Sequence, residues 1–206
     1  MKYFLLQDGM WLPKEADRWK LGRLSFEIES KLWEYEQNIS AGRLSGLNSP
    51  IDITVAIPGK PKDFNFVMGA KEPPVVSARF KETVLSATES EIRQSVHFHP
   101  VTINVPVVED DFYLMLIPGR CDAVDEERSE FIKFTEDDPV RPDLAGQYKV
   151  FNNLIINPDK AAHCIFRLEY AETQIIINEP FRVLLLENNL TGININPVNG
   201  EQQTVC

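Results

Sequence analysis

Short runs of β-branched and aromatic residues, separated by proline and glycine, make up most of this chain. Runs of this length and composition predict strands rather than helices. The predicted strands are Tyr3–Leu6, Ile51–Ile57, Thr102–Val105, Phe112–Ile117, Phe131–Phe134, Cys164–Leu168 and Thr173–Ile177. The run at Phe112–Ile117 is apolar almost throughout, so it predicts a strand that is buried on both of its faces.

Two other windows have the apolar spacing that is typical of helices. The first follows Pro73-Pro74-Val75-Val76, and Ser77 is its predicted N-cap. One face of this helix carries the apolar residues Phe80, Val84, Leu85 and Ile92.

The second predicted helix follows the apolar residues 175–177. Asn178 is the predicted N-cap, and Glu179-Pro180 suits a first turn. Its apolar stripe is formed by Phe181, Leu184 and Leu185. Gly192, soon after Leu190, is the predicted left-handed stop of this helix.

The chain after each predicted helix has the same pattern. Residues 96–101 read VHFHPV and residues 193–198 read ININPV, so both run apolar, polar, apolar, polar, Pro, Val. We therefore predict a duplicated unit of extended run, helix and strand at residues 76–101 and 176–198.

These elements predict an α+β protein with short-stranded, mainly antiparallel sheets, two or three helices and two related halves. The 206 residues fit one large domain. Within it we expect a strand-rich N-terminal lobe at residues 1–62 and an α+β region at residues 63–206, packed as one integrated domain.

The sequence also predicts a cytoplasmic protein with reduced thiols. The apolar run after Met1 is too short for the core of a signal peptide, and no run reaches the roughly 18 residues of a membrane span. The cysteines Cys121, Cys164 and Cys206 are odd in number and widely spaced, which does not suit a disulfide framework.

Negative charge is concentrated between Glu109 and Asp143. Twelve carboxylates and four cations in this stretch account for −8 of the total charge of −10. Local negative charge attracts a basic partner and repels nucleic acid and anionic membranes. The alternative is a solvated loop that only keeps the protein soluble.

The order of several sequence blocks along the chain is more specific than any single block. These blocks are Asp63–Phe66, Pro73–Phe80, Phe98–Val101, Tyr113–Leu116, Cys121–Glu130, Ile165–Leu168 and Leu190–Ile193. In this order they resemble a bacterial immunity-protein family of polymorphic toxin systems, formerly a domain of unknown function. The resemblance covers most of the chain and is strongest from Asp63 to Val198. It implies a non-catalytic inhibitor, encoded beside a secreted toxin that it blocks.

The resemblance transfers no contact residues, so the candidate interface rests on local charge. The Asp122–Glu130 block matches a segment that looks shared in the family, and we interpret it as structural, with Asp122 and Asp125 bonding backbone amides at a turn. The margins of the acidic stretch are freer to vary. The predicted partner-binding carboxylates are Glu109, Asp110, Asp111, Glu136, Asp137 and Asp138. Their partner would be a basic toxin.

Two other function classes remain open at this point. The first is a hydrolase of unknown class that uses the acids of Asp122–Glu130, although Asp122 and Asp125 on a strand would face opposite sides. The second is a non-inhibitory oligomeric scaffold of the same fold. A homodimer is compatible with either the scaffold or the inhibitor.

Metal and nucleophile motifs are weak in this sequence. His97 and His99 would share a strand face that zinc can use, but Phe98 between them is the natural core-facing residue. His163 and Cys164 are adjacent on a predicted strand, so their side chains would point apart. We therefore predict no catalytic residue, no cofactor and no metal site.

Overall fold

The computed structural model describes residues 1–8, 24–26, 50–55, 62–65, 73–103 and 111–198. The strands in these residues are β1 (Tyr3–Asp8), β2 (Leu24–Phe26), β3 (Ile51–Val55), β4 (Phe64–Asn65), β5 (Val75–Ser77), β6 (His97–Ile103), β7 (Phe112–Leu116), β8 (Arg120–Cys121), β9 (Glu130–Lys133), β10 (Tyr148–Asn153), β11 (Ile165–Leu168), β12 (Ala171–Asn178) and β13 (Ile193–Pro197). The helices are α1 (Ala78–Leu85), α2 (Ser90–Gln94) and α3 (Glu179–Glu187), with a 3₁₀ turn at Pro142–Leu144. Three helices and mainly antiparallel open sheets among the described residues confirm the predicted α+β class.

The chain divides into two compact units, each built from separate segments. The first unit contains Met1–Leu6, Gly119–Arg182 and Ile195–Cys206. The second unit contains Gln7–Pro118 and Val183–Asn194. The expected boundary after residue 62 falls inside the second unit. The N-terminal lobe and the single integrated domain stay predictions.

The second unit is organised around strand β7. Its six-stranded sheet has the order β2-β3-β6-β7-β5-β4, and β7 is antiparallel to both of its neighbours. Phe112, Leu114, Met115 and Leu116 are buried in this strand. The prediction of a strand buried on both faces at Phe112–Ile117 is therefore confirmed, with the strand ending one residue earlier.

The predicted first helix is two helices. Its start is confirmed, because the Ser77 side chain accepts a hydrogen bond from the Phe80 N–H at 3.1 Å. Its continuation through Ile92 is wrong, because α1 ends at Leu85, which is 45% exposed. The guanidinium of Arg93 donates to the main-chain oxygens of Ala87 and Thr88, which holds the link between α1 and α2 out of the helical path.

The first unit contains a five-stranded sheet and a separate two-stranded hairpin. The order of the larger sheet is β13-β1-β12-β11-β8, with β12 antiparallel to β1 and β11, and β8 parallel to β11. Strands β9 and β10 form the hairpin. Tyr3, Phe166 and Ile176 from the larger sheet belong to the buried core on which the hairpin packs.

Helix α3 begins as predicted but stops differently. The side-chain oxygen of Asn178 accepts from the Phe181 N–H at 3.0 Å, which confirms the cap. The helix ends at Glu187, and Asn189 (φ 49°) is the left-handed residue that follows it. Asparagine tolerates this conformation, so the prediction of Gly192 as the helix stop is wrong. Gly192 is also left-handed (φ 83°), but a close backbone approach described below requires it.

The two predicted repeat segments have the same local topology. In the first, β5 and β6 lie on either side of β7, and α1 and α2 connect them. In the second, β12 and β13 lie on either side of β1, and α3 connects them. Each segment therefore runs from a strand, through helix, to a second strand that is separated from the first by one intervening strand.

Candidate functional site

The acidic hairpin, which we define as residues 130–153, contains β9, β10 and the loop between them. Its strands pair Phe151 with Phe131, and Tyr148 with Lys133, with register irregularities that twist the ribbon. The rings of Phe131 and Tyr148 are 5.0 Å apart, and those of Tyr148 and Phe151 are 4.8 Å apart. These aromatic rings pack against the core of the first unit and fix one face of the hairpin there.

The hairpin also exposes aliphatic side chains. Ile132 and Val150 are cross-strand partners, and they are 54% and 44% exposed. Val140, in the connecting loop, is 77% exposed. Exposed aliphatic side chains that lie beside charged residues are typical of surfaces that bind another protein.

Asp138 organises the loop of the hairpin. Its carboxylate accepts hydrogen bonds from the Val140 N–H at 3.0 Å, the Arg141 N–H at 2.9 Å and the Lys149 ammonium at 2.6 Å. The Lys149 bond, followed by the two backbone bonds, lowers the pKa of Asp138 to about 2. Only 6% of the side chain is exposed. Asp138, one of the predicted partner-binding residues, is therefore held inside a turn.

Glu136 and Asp137, immediately before Asp138, are exposed and have no hydrogen-bond or ion-pair partner in the described part of the chain. The side chain of Glu130, at the start of β9, is also exposed and has no such partner among the described residues. By contrast, each cation of the hairpin has an acidic partner. These pairs are Lys133 with Glu126, Arg141 with Asp143, and Lys149 with Asp138. The uncompensated charge on the hairpin is therefore negative.

The other predicted margin of the acidic stretch lies in the second unit. Glu109 and Asp110 are outside the described residues. Asp111 is exposed, and its main-chain oxygen accepts from the Ala78 N–H at 2.9 Å. Glu136, Asp137 and Asp138 belong to the first unit, whereas Asp111 belongs to the second.

Three acids of the Asp122–Glu130 block, Asp122, Asp125 and Glu126, have partners within the described chain. The side chain of Asp125 accepts from the Arg128 N–H at 3.2 Å, which confirms the predicted turn bond at this residue. For Asp122 the structure instead shows an ion pair, at 3.7 Å from the Lys160 ammonium. Both carboxylates therefore have partners within the chain itself.

Glu126 in the same block links the block to the hairpin. Its carboxylate accepts from the Lys133 ammonium at 2.7 Å and from the Tyr148 hydroxyl at 2.5 Å. These two bonds, that of Lys133 first, lower the pKa of Glu126. Burial, followed by the bond to Glu126, raises the pKa of Tyr148. A lowered carboxyl pKa and a raised phenol pKa both favour a fixed hydrogen bond over proton transfer near neutral pH.

Within the described residues, no group of three or more His, Cys, Asp or Glu residues could hold a metal ion. Cys121 and Cys164 are buried, and the neighbouring His163 is exposed. His97 is exposed, while His99 and Phe98 are half-buried. No helix among the described residues is long and apolar enough to cross a membrane.

A second acidic feature, the Asp63 cluster, was missed by the sequence analysis. We define it as Asp63, Ser77, Arg79, Thr191 and Gly192, all in the second unit. The Asp63 carboxylate accepts from the Ser77 hydroxyl at 2.7 Å and from both the N–H and the hydroxyl of Thr191 at 2.8 Å. Burial raises the pKa of Asp63, but the Thr191, Ser77 and Arg79 contacts outweigh this effect and lower it overall.

The backbone segments of the Asp63 cluster also lie close together. The Phe64 N–H donates to the Thr191 main-chain oxygen at 3.1 Å. A Cβ atom on Gly192 would lie 2.4 Å from the Phe64 oxygen, so only glycine fits here. The cluster joins three of the sequence blocks that carry the resemblance, and its satisfied bonds make it a structural clamp.

The sequence model of an immunity protein family, Imm11, matches residues 57–200, which is more than half of the chain. No curated protein matches the chain. The family match confirms the resemblance to an immunity-protein family, and it spans the Asp63 cluster and the acidic hairpin.

Proposed function

The chain belongs to the immunity protein family Imm11, and from this premise we propose that it binds a cognate antibacterial toxin and blocks it as a stoichiometric inhibitor. Membership of an immunity protein family indicates a toxin-neutralising role and not an enzymatic one. The toxin is a basic protein encoded near this chain, and the complex forms in the cytoplasm.

The acidic hairpin is the observation that supports a basic partner. Glu130, Glu136 and Asp137 carry charge that no residue of the described chain neutralises. They are on the same hairpin as the exposed pair Ile132 and Val150. Many toxins that act on nucleic acid or membranes have basic surfaces. Negative charge steers such a surface towards the inhibitor, and apolar contacts slow dissociation.

The predicted partner-binding residues have different roles in this proposal. Glu136 and Asp137 contact the toxin directly. Asp138 shapes the loop that presents them, because its own carboxylate is engaged with Lys149 and two backbone amides. Glu109, Asp110 and Asp111 form a second proposed contact surface, which rests on the charge of the sequence.

Co-expression tests the proposal. The toxin domain encoded in the neighbouring reading frame is expressed in a susceptible bacterium with and without this protein. We expect rescue of growth, and a one-to-one complex of the two purified proteins by light scattering. Failure of rescue, or a closed oligomer of this protein that takes up no toxin at any salt concentration, would overturn the proposal and favour the scaffold.

A further inference from the structure

A groove in the first unit lies beside strand β10. Its volume is about 330 Å³, and its apolar lining includes Leu5, Phe151, Leu154 and Val198. This volume is at the lower end of the range for binding pockets, and it suits one large apolar side chain rather than a cofactor.

The groove is continuous with the exposed face of the acidic hairpin. Val150 lines the groove and is also the cross-strand partner of the exposed Ile132. Within the described residues, β9 is the one strand that pairs with β10. The N–H of Tyr148 donates to the Tyr170 oxygen, and no other strand of the described residues lies beside that edge of β10. An extended segment can therefore lie along β10.

Charge favours a basic occupant over an acidic one. Lys149 is the charged residue in the lining, and Asp138 neutralises it at 2.6 Å. The same hairpin carries the carboxylates of Glu130, Glu136 and Asp137, which have no partner within the described part of the chain. A segment with lysine or arginine residues would approach these carboxylates favourably, whereas an acidic segment would be repelled.

We propose that the groove receives an apolar side chain of the cognate toxin, presented on an extended segment with basic residues on either side of it. This inference rests on the proposed function and names the part of the toxin that the hairpin binds. A buried apolar anchor beside peripheral charged contacts is the arrangement that concentrates binding energy in protein interfaces.

Filling the groove tests the inference. Thr173 is an exposed residue of the groove lining, and Thr173→Trp would occupy its mouth. The matched control is Thr88→Trp, at an exposed threonine of the second unit. With the neighbouring toxin domain as the probe, calorimetry should show affinity at least tenfold weaker for Thr173→Trp and within about twofold of wild type for Thr88→Trp.

A second measurement uses the unmodified protein and so does not depend on the folding of a variant. Hydrogen exchange at the amides of residues 150–153 should slow when the toxin domain binds. Wild-type affinity of a folded Thr173→Trp variant, or unchanged exchange at these amides in the complex, would overturn the groove proposal alone. Absence of any complex with the wild-type protein would overturn the proposed function as well.

Discussion

The Asp63 cluster and the acidic hairpin use the same chemical group in opposite ways. The Asp63 side chain is 10% exposed, and its oxygens accept bonds from Ser77 and Thr191. Glu136 and Asp137 on the hairpin are exposed and unpaired in the described structure. A carboxylate whose bonds are satisfied within the chain stabilises the fold, whereas an exposed one adds little to stability and remains available to a partner.

Removing the Asp63 carboxylate is the strongest test of this comparison. We expect Asp63→Ala to lower the free energy of unfolding by about 3 kcal/mol, because the Thr191 amide and the Ser77 hydroxyl lose their acceptor. Urea unfolding measures the change. The control Glu82→Ala, at an exposed position of α1, should stay within about 0.5 kcal/mol of wild type. Equal losses in both variants would contradict the structural role of Asp63.

A matched pair of glycines, one in each region, separates steric conflict from backbone conformation. Gly192 in the Asp63 cluster has φ 83°, and Gly146 in the hairpin loop has φ 86°. A Cβ on Gly146 would meet nothing within 4 Å, whereas one on Gly192 would clash with the Phe64 oxygen. Gly146→Ala should cost about 1 kcal/mol, and Gly192→Ala about 3 kcal/mol. Thermal unfolding of the two variants compares them, and equal costs would argue against the close approach.

The two strand–helix–strand segments offer a second comparison within the molecule. We propose that residues 76–101 and 176–198 are copies of one ancestral unit. Each helix has a polar cap, Ser77 or Asn178, whose side chain accepts from the N–H of the phenylalanine three residues later. Both phenylalanines, Phe80 and Phe181, are fully buried.

Replacing the cap residue of the second segment with that of the first tests this proposal. Asn178→Ala should destabilise the protein by about 1 kcal/mol, because the Phe181 N–H loses its acceptor. Asn178→Ser introduces the cap residue of the first segment and should recover more than half of that loss. Urea unfolding of the three proteins would decide the question. A serine variant no more stable than the alanine variant would weaken the equivalence of the two segments.

Acid should weaken the fold through the engaged carboxylates. The folded pKa of Asp138 is about 2, below its ordinary value of 3.8, and that of Asp63 is also lowered. Stabilisation from such groups is complete above their unfolded pKa of about 4 and is lost as the pH falls towards 2. Thermal unfolding between pH 6 and pH 2 should show this loss, reduced in Asp138→Asn. Parallel curves for that variant and the wild type would contradict the assignment.

Neutralising the exposed acids should leave stability unchanged and alter binding. We expect Glu136→Gln with Asp137→Asn to weaken affinity for the neighbouring toxin domain about tenfold and to reduce its salt dependence. The control pair, Glu82→Gln with Glu187→Gln, removes the same charge from exposed positions of the second unit. Surface plasmon resonance at two salt concentrations measures both. Unchanged affinity in the first variant would favour a loop that only keeps the protein soluble.

Sequence reasoning succeeded where the determining contacts are local. The run at Phe112–Leu116 needs only its own apolar residues to predict burial, and the caps Ser77 and Asn178 lie within one turn of their partners. The break after Leu85 was missed because it depends on Arg93 reaching back to the Ala87 and Thr88 oxygens. Strand β10 was missed because its apolar positions are few and irregularly spaced.

In the candidate site too, local features could be predicted and long-range contacts could not. Charge density alone directed attention to Glu136 and Asp137, which the structure describes as exposed. The burial of Asp138, in the hairpin loop, could not be predicted. Its partner Lys149 lies eleven residues later, on strand β10. Asp63 was missed for a related reason: Thr191, its main partner, is 128 residues away in sequence. Pairings of this kind are set by tertiary structure.

The pairing of β1 with β12 affects when the acidic hairpin can bind a partner during synthesis of the chain. Tyr3 pairs with Asn178, so β1 is synthesised long before the strand that completes its ladder. The core on which the acidic hairpin packs includes Tyr3 and Ile176 from these strands, and it forms only after both have left the ribosome. Closing so long a loop slows folding. In the proposed function, binding of a toxin by the acidic hairpin must therefore wait until β12 has been synthesised and has paired with β1.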